Sequence, residues 1–321
     1  MASLATKYAI SDLDFVNLSE IRSSEIIHLW DREISFYRTV LHWDVSHAIR
    51  GLKQALAKGQ LYGKGVRSEG SLCAYYCYAI DCGRAVISGL GVSHPSFGKG
   101  ITKAIVEELV KHLDNFSVRR IESQFIGFDI PGLVECFEAE GFKTNSREFL
   151  RIPLPSSKSL HFMNRSILVQ PFDSFSLEEI ATLVHDAHAG LVDSEINELY
   201  ATRQGCKTLL DDIVTQHGCG NYLLDASSIA AVNGADRAGG FAIVSLIGNG
   251  HGHLAQLAVA PEFQKQGVGR VLLDCTLAKC SELGLGMLSL MVSSRNKRAK
   301  NLYHRVGFET VYRFPVFFRE N

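Results

Sequence analysis

The sequence predicts an α/β chain (α+β in its element order) of two similar halves, each a twisted mixed β-sheet flanked by helices. Three observations lead there. The chain has 321 residues, which matches two domains of about 150. Residues 152–159 read Ile-Pro-Leu-Pro-Ser-Ser-Lys-Ser, a composition suited to an extended linker. Two anchors also recur at one offset of 166: Pro95-Ser96-Phe97 with Pro261-Glu262-Phe263, and Gly141-Phe142 with Gly307-Phe308. A fixed offset in matching element contexts signals tandem duplication. The expected division is residues 1–152, a linker at 153–159, and residues 160–321.

The elements follow from periodicity. In the first half, helices are expected over 18–35 and 44–58, and strands over 72–80 and 85–92. A helix over 102–113, a strand over 120–126, a short helix over 133–140 and a strand ending at Ile152 complete it. The second half repeats this order. A strand at 167–171 precedes helices at 177–189 and about 194–217. Strands at 228–232, 240–247 and 253–259 lead to a helix at 268–283. A strand at 287–292, a helix at 298–306 and a strand from Phe308 close the chain.

Composition narrows the function. Lys plus Arg is 33 and Asp plus Glu is 34, so no general basic face for nucleic acid is expected. Hydrophobic residues make up 46%, which argues for folded cores and against disorder. No run of about 20 apolar residues exists, so no membrane association is expected. The N-terminus lacks the long apolar segment of a secretory signal. Eight cysteines are present without a Cys-x-x-Cys pair, and Cys77 lies in an apolar run. Reduced, largely buried thiols in a cytoplasmic protein are the expectation.

The chemistry concentrates after the third strand of the second half. Residues 264–270 read Gln264-Lys265-Gln266-Gly267-Val268-Gly269-Arg270 and run straight into an amphipathic helix. Glycines let the backbone approach a ligand closely. A helix N-terminus presents unpaired N–H groups and partial positive charge. Together they form an anion site suited to a pyrophosphate, with Lys265 and Arg270 adding charge. The loop is not a Walker loop, since no Gly-Lys-Ser/Thr follows. It is not a dinucleotide fingerprint either, since the third glycine is missing. A second stretch runs from Asn296 to Phe308. Asn296 can cap a helix or offer its amide to a ligand. Ala299, Leu302 and Tyr303 share one side of that helix, and Gly307 ends it.

These two stretches resemble the GNAT superfamily of acyl-CoA-dependent N-acetyltransferases. The family motif Gln/Arg-x-x-Gly-x-Gly/Ala is matched by Gln264, Gly267 and Gly269. Its second signature is matched by Asn296, Ala299, Leu302-Tyr303 and Gly307-Phe308. The close match covers about residues 252–308. The resemblance implies acetyl-CoA as co-substrate and no metal. It implies that Leu257, Ala258 and Val259 carry the backbone edge that pairs with the pantetheine arm, and that the Val259 amide polarises the thioester carbonyl. N–H groups from Gln266 to Arg270 would hold the pyrophosphate, Asn296 would bond the arm, and Tyr303 would serve the leaving thiolate.

The first half departs from this pattern. It lacks counterparts of Gln264-Lys265-Gln266, and at the offset of 166 Tyr303 maps to Phe137 and Asn296 to Ile130. It reads as a degenerate GNAT-like domain in which Gly98-Lys99-Gly100 is a plain turn. One degenerate and one intact half resemble the layout of mycothiol synthase. The intact half departs too. Gln256 stands where many members carry a glutamate base, and an amide takes no proton. A water chain, His251 or His253, or an acceptor that arrives neutral would then do that work. Residues 185–198 carry acidic groups suited to a cationic acceptor such as a polyamine, aminosugar or peptide N-terminus, or else form an ordinary solvated face. His185 and His188 lack a third convergent metal ligand in the sequence. The basic cluster of Arg295, Lys297, Arg298, Lys300 and Arg305 suits the coenzyme 3′-phosphate or a solvated helix surface. The expected reaction is acetyl transfer to a primary amine of a small molecule or peptide by a monomer or homodimer. A non-catalytic acyl-CoA-binding module is the alternative, and thiol or hydroxyl acceptors stay open.

Overall fold

The computed structural model describes residues 13–94, 98–124, 126, 130–155, 166–215, 219–232 and 237–321. Its elements in order are β1 (Leu13–Asn17), α1 (Ser23–Phe36), α2 (Ser46–Ala57), β2 (Tyr62–Ser68), β3 (Ser71–Asp81), β4 (Arg84–Val92), α3 (Gly98–Leu113), β5 (Arg120–Gln124) and α4 (Leu133–Ala139). Then come β6 (Lys143–Pro153), β7 (Ile167–Pro171), α5 (Leu177–His188), α6 (Val192–Ile196), α7 (Arg203–Thr215), β8 (Asn221–Tyr222), β9 (Ser228–Val232) and β10 (Ala238–Gly248). The chain closes with β11 (His251–Val259), α8 (Val268–Glu282), β12 (Met287–Ser293), α9 (Lys297–Val306) and β13 (Glu309–Glu320).

Two units result. One holds the described residues of Met1–Val40, Asp44–Ser146 and Phe314–Asn321; the other holds Leu41–Trp43 and Arg147–Arg313. Residues 156–159 of the expected linker and the anchor Pro95-Ser96-Phe97 lie outside the described residues.

In the first unit the strands run β1-β2-β3-β4-β5-β13. Neighbours are antiparallel except β4 and β5, which are parallel. Leu72 to Tyr78 is buried throughout, because helices cover both faces of the sheet. On one face α3 lays down Ile101, Ile105, Leu109 and Leu113 at helical spacing. On the other, Ile26, Leu29 and Trp30 of α1 meet Ile49 and Leu56 of α2. β1 and β2 escaped the sequence reading. The β2 glycines explain the second miss: a Cβ at Gly63 would lie 2.1 Å from the Tyr76 carbonyl oxygen, so a residue that blurs strand periodicity is required.

A half-buried acid, Glu33, sits on α1. The Tyr75 hydroxyl donates to Glu33 Oε1 at 2.6 Å. Burial pushes this carboxyl up from 4.5 to about 7, against the hydrogen bond. A raised folded pKa means that the folded state binds more protons than the unfolded chain between these values. Stability therefore falls as pH rises through that window, by about 3 kcal/mol for a shift of this size. Glu33→Gln should melt above the parent protein at pH 8, and the gap should close towards pH 5. A pH-independent gap in melting curves would refute the assignment.

In the second unit the strands run β6-β12-β11-β10-β9-β7, with β8 on β10. β11 and β12 are parallel; the other pairs along this path are antiparallel. α8 and α9 cover one face through Leu272, Leu273, Leu277 and Val306. α5 and α7 cover the other through Ile180, Val184, Leu210 and Ile213. The single helix expected near 194–217 is instead α6, a 3-10 turn over Glu198–Ala201 and α7.

The duplication is visible in backbone detail. The β10–β11 register steps from Ile243↔Gln256 to Val244↔Leu254, leaving Ala255 as a bulge. In the first unit the register steps from Cys77↔Gly89 to Tyr78↔Ile87, leaving Ser88 as its counterpart. Gly141 and Gly307 both take positive φ, at 80° and 114°, and each precedes a buried phenylalanine. All eight cysteines are unbridged, and Cys73, Cys77, Cys206 and Cys280 are buried. Among the described residues no helix is long and apolar enough to cross a membrane.

Candidate functional site

The site follows from the bulge. Pairing of β11 with β12 stops at Leu254↔Leu290, so the two parallel strands part beyond it. Leu257, Ala258 and Val259 then line a cavity of about 770 Å³. Its far wall is the turn into α8, with Gln264, Lys265, Gly267, Val268, Gly269 and Arg270 on the lining. Gly267 takes φ 89° and no side chain caps α8. The first N–H groups of a helix have no partner within it, so this end is open to an anion. Lys265 also has positive φ, at 62°, as the chain turns tightly there.

Individual residues are placed as follows. Gln264 braces the turn: its Nε2 donates to the Val259 carbonyl at 3.0 Å, and its Oε1 accepts from Arg298. Gln266 is turned back to the Glu262 carbonyl at 2.7 Å. Arg270 lines the cavity while its Nε donates to Asp274 at 2.8 Å. Asn296 caps α9, its Oδ1 accepting from the Ala299 N–H at 3.1 Å. Its Nδ2 lies 3.5 Å from Asp193. Ala299, Leu302 and Tyr303 carry the α9 face of the cavity. The Tyr303 phenol is buried, which raises its pKa above the ordinary value, and Asp193 adds to the rise. It therefore stays protonated at neutral pH and can act as a donor.

The basic cluster divides. Arg295 pairs with Glu195 and Lys300 with Glu148, whereas Arg298 and Arg305 line the cavity.

The candidate bases lie behind the lining. Gln256 is buried, and its Oε1 accepts from the Tyr200 hydroxyl at 3.2 Å. His253 is buried beneath Trp43 and Phe149, at centroid distances of 5.1 and 5.9 Å. Its Nδ1 meets Ser289 Oγ at 2.9 Å, and that hydroxyl also meets His251 Nε2 at 2.9 Å. The His251 Nδ1 donates to the His42 carbonyl, so its Nε2 accepts from Ser289, and Ser289 in turn accepts from His253. Burial lowers His251 to about 4 and His253 to about 3. Both are neutral imidazoles linked through one hydroxyl. The structure adds a residue that the sequence offered only as a weak metal ligand: His188, on the cavity wall 3.5 Å from Gln256. Among the described residues no three His, Cys, Asp or Glu side chains converge on a metal position.

The first unit has a bulge but not the same free edge. Arg32 of α1 donates from one nitrogen to the Val92 and Ser93 carbonyls, at 2.9 and 2.8 Å. Its guanidinium thus occupies carbonyls at the end of β4. Gly98-Lys99-Gly100, expected as a plain turn, instead forms the first turn of α3, and Lys99 there pairs with Glu135 at 3.1 Å.

A bulged strand parting from a parallel neighbour beside an uncapped helix defines the second unit as a GNAT fold, and the bulged strand with a parallel neighbour repeats in the first. Residues 198–308 match the acetyltransferase (GNAT) family. By sequence the chain resembles the GNAT superfamily over residues 198–308, and it shares the tandem fold of solved GNAT structures. It is 39% identical over 64 residues to the mycothiol acetyltransferase of Propionibacterium freudenreichii subsp. shermanii, which is 20% of each chain. It is 31% identical over 110 residues to the peptidyl-lysine N-acetyltransferase YjaB of Escherichia coli strain K12, covering 34% of this chain and 65% of that one. The chain thus spans between a fifth and just under two thirds of these curated relatives. Among solved structures, a GCN5-related N-acetyltransferase from Sphaerobacter thermophilus superposes with TM-score 0.65 at 15% identity, over 95% of both chains. A tandem GNAT protein from the clavulanic acid biosynthesis pathway superposes with TM-score 0.61 at 15% identity, over 96% of this chain and 98% of that one. The tandem mixed-sheet fold expected from the sequence is borne out.

Proposed function

We propose that the second half of the chain, residues 160–321, transfers an acetyl group from acetyl-CoA to a primary amine of a small molecule or peptide, by direct attack with both substrates bound. One observation carries the reading: the open edge of Leu257–Val259 and the uncapped start of α8 face one cavity. The edge suits an extended arm with amide groups, and the helix end suits a diphosphate. Arg298 and Arg305 supply cationic side chains for a further phosphate. Tyr303 offers its O–H to the departing sulfur. The first half, residues 1–152, keeps the fold without a working coenzyme site, since Arg32 fills the strand end. Unbridged cysteines suit a reducing, cytoplasmic setting.

Calorimetric titration with acetyl-CoA tests the binding half of this reading, and one site per chain is expected. Thiol release from acetyl-CoA across spermidine, glucosamine and a tripeptide tests the transfer half. Binding without release from any amine would favour the non-catalytic module, which the amide at Gln256 also favours. Tyr303→Phe should lower kcat by roughly 100-fold, within the range for lost proton transfer. Its acetyl-CoA affinity should hold, because the ring stays and packs against Phe308. An unchanged kcat would remove Tyr303 from the chemistry.

A further inference from the structure

The strand position that carries an acid in many relatives holds Gln256 here, and the structure offers a proton acceptor from a different element. His188 ends α5 and lines the cavity. Its Nδ1 lies 2.8 Å from the Val184 carbonyl. A carbonyl oxygen only accepts, so the proton is on Nδ1 and Nε2 keeps its lone pair. Tyr200 stacks on the imidazole, with centroids 4.2 Å apart and planes within 12°, which fixes the ring's rotation. The same tyrosine donates to Gln256 Oε1 and so turns the amide nitrogen towards His188 Nε2, at 3.5 Å. An amide nitrogen only donates, so Nε2 is unprotonated and accepts this long hydrogen bond, which the incoming amine displaces. Gln256 immediately precedes Leu257, where the cavity's strand edge begins.

We propose that His188 Nε2 takes the proton from the attacking amine, an assignment that rests on the transfer reaction above. The amine nitrogen forms its bond to the acetyl carbon as the carbon–sulfur bond breaks. One N–H proton passes to Nε2, and its electron pair stays on nitrogen. The sulfur leaves with the carbon–sulfur pair and takes a proton from Tyr303, which regains one from solvent as His188 releases its own. The charged groups facing His188 are Asp193 from α6 and Arg147 from β6, which act in opposite directions. Burial, joined by Arg147, outweighs the Val184 hydrogen bond and Asp193 and lowers the imidazole pKa below its ordinary value, so the base is neutral at physiological pH. Gln256 is a positioning residue: its amide holds the imidazole through Nε2 until the amine takes that place.

The test compares the parent protein with His188→Gln, using acetyl-CoA and the amines spermidine, glucosamine and a tripeptide. The expected result is a fall in kcat of about 100-fold and loss of the acidic limb of the kcat/KM pH profile. The acetyl-CoA Kd should change less than about twofold, since the diphosphate and arm contacts assigned above involve other residues. Full turnover with the acidic limb intact would overturn the proposal while leaving the transferase reading standing. Absence of acetyl-CoA binding to the parent protein would instead defeat that underlying reading. A second measurement needs no acceptor: nitrogen NMR of histidine-labelled protein, with His188→Gln identifying the resonance. A neutral ring protonated on Nδ1 is expected at pH 7, and a proton on Nε2 would overturn the assignment.

Discussion

A chain ended at Arg313 should lose the unit that holds β1 to β5. Phe314–Asn321 belong to that unit, where β13 pairs with β5 from Val316↔Gln124 to Glu320↔Arg120. Phe314, Val316, Phe317 and Phe318 are all buried. Phe317 stacks on Phe137 with centroids 4.2 Å apart, in the middle of the α3 core. At about 1.5–3 kcal/mol for each buried apolar side chain, the loss rivals the whole stability of a typical domain. The deletion also strands polar partners: Arg319 donates to the Glu140 carbonyl at 3.2 Å, and the Asn321 N–H donates to Arg119 at 2.9 Å. The readout is built in. Trp30 is fully buried in the first unit, and Trp43, the second of two tryptophans, falls in the other. In a Trp43→Phe background, the shortened protein should show red-shifted Trp30 emission and no cooperative transition. Phe317→Ala should give a milder version, about 3–5 kcal/mol less stable. Unaltered Trp30 emission in the shortened protein would show that β13 is dispensable to that unit.

This placement of β13 was beyond the sequence. The strand itself was legible from Phe308 onward, but its apolar pattern says nothing about which sheet accepts it. Local signals fared well where one residue type answers one backbone demand. The sequence marks Gly267 for close backbone approach to a ligand and Gly307 as the end of a helix, and both take positive φ. Asn296 was read as a possible cap, and it caps α9. The bulge at Ala255 left no such trace, because its cause is the register between two strands. The sequence offers His253 as a candidate base, yet Trp43, some 200 residues earlier, packs over it and the ring is buried. His188 shows the same limit. Its bond to Val184 is a helical i−4 contact, but the pairing with Tyr200 and Gln256 that gives it a role exists only in three dimensions.

Gly267→Glu should abolish acetyl-CoA binding while leaving the protein folded. Gly267 precedes α8 with φ 89° and ψ −3°, a conformation that costs an L-residue about 1–2 kcal/mol. A carboxylate at that point gains about 0.3–1 kcal/mol from the helix N-terminus, which offsets part of the strain. It does so by occupying the N–H groups proposed for the diphosphate, and it sets a like charge against any anion that approaches. Two such effects should weaken binding by about 100-fold or more, equivalent to roughly 2.7 kcal/mol. Gly269→Ala is the contrasting case. A Cβ there would meet Val259 Cγ2 at 3.5 Å and Leu302 Cδ2 at 3.6 Å, ordinary contacts, and the backbone is not left-handed. That variant should bind within a few-fold of the parent protein. Calorimetry on the pair separates an anion site from a merely tight turn. If Gly267→Glu binds as the parent does, α8 does not hold the diphosphate. If both variants lose binding equally, packing of the helix onto β11 governs affinity, and the open N-terminus is incidental.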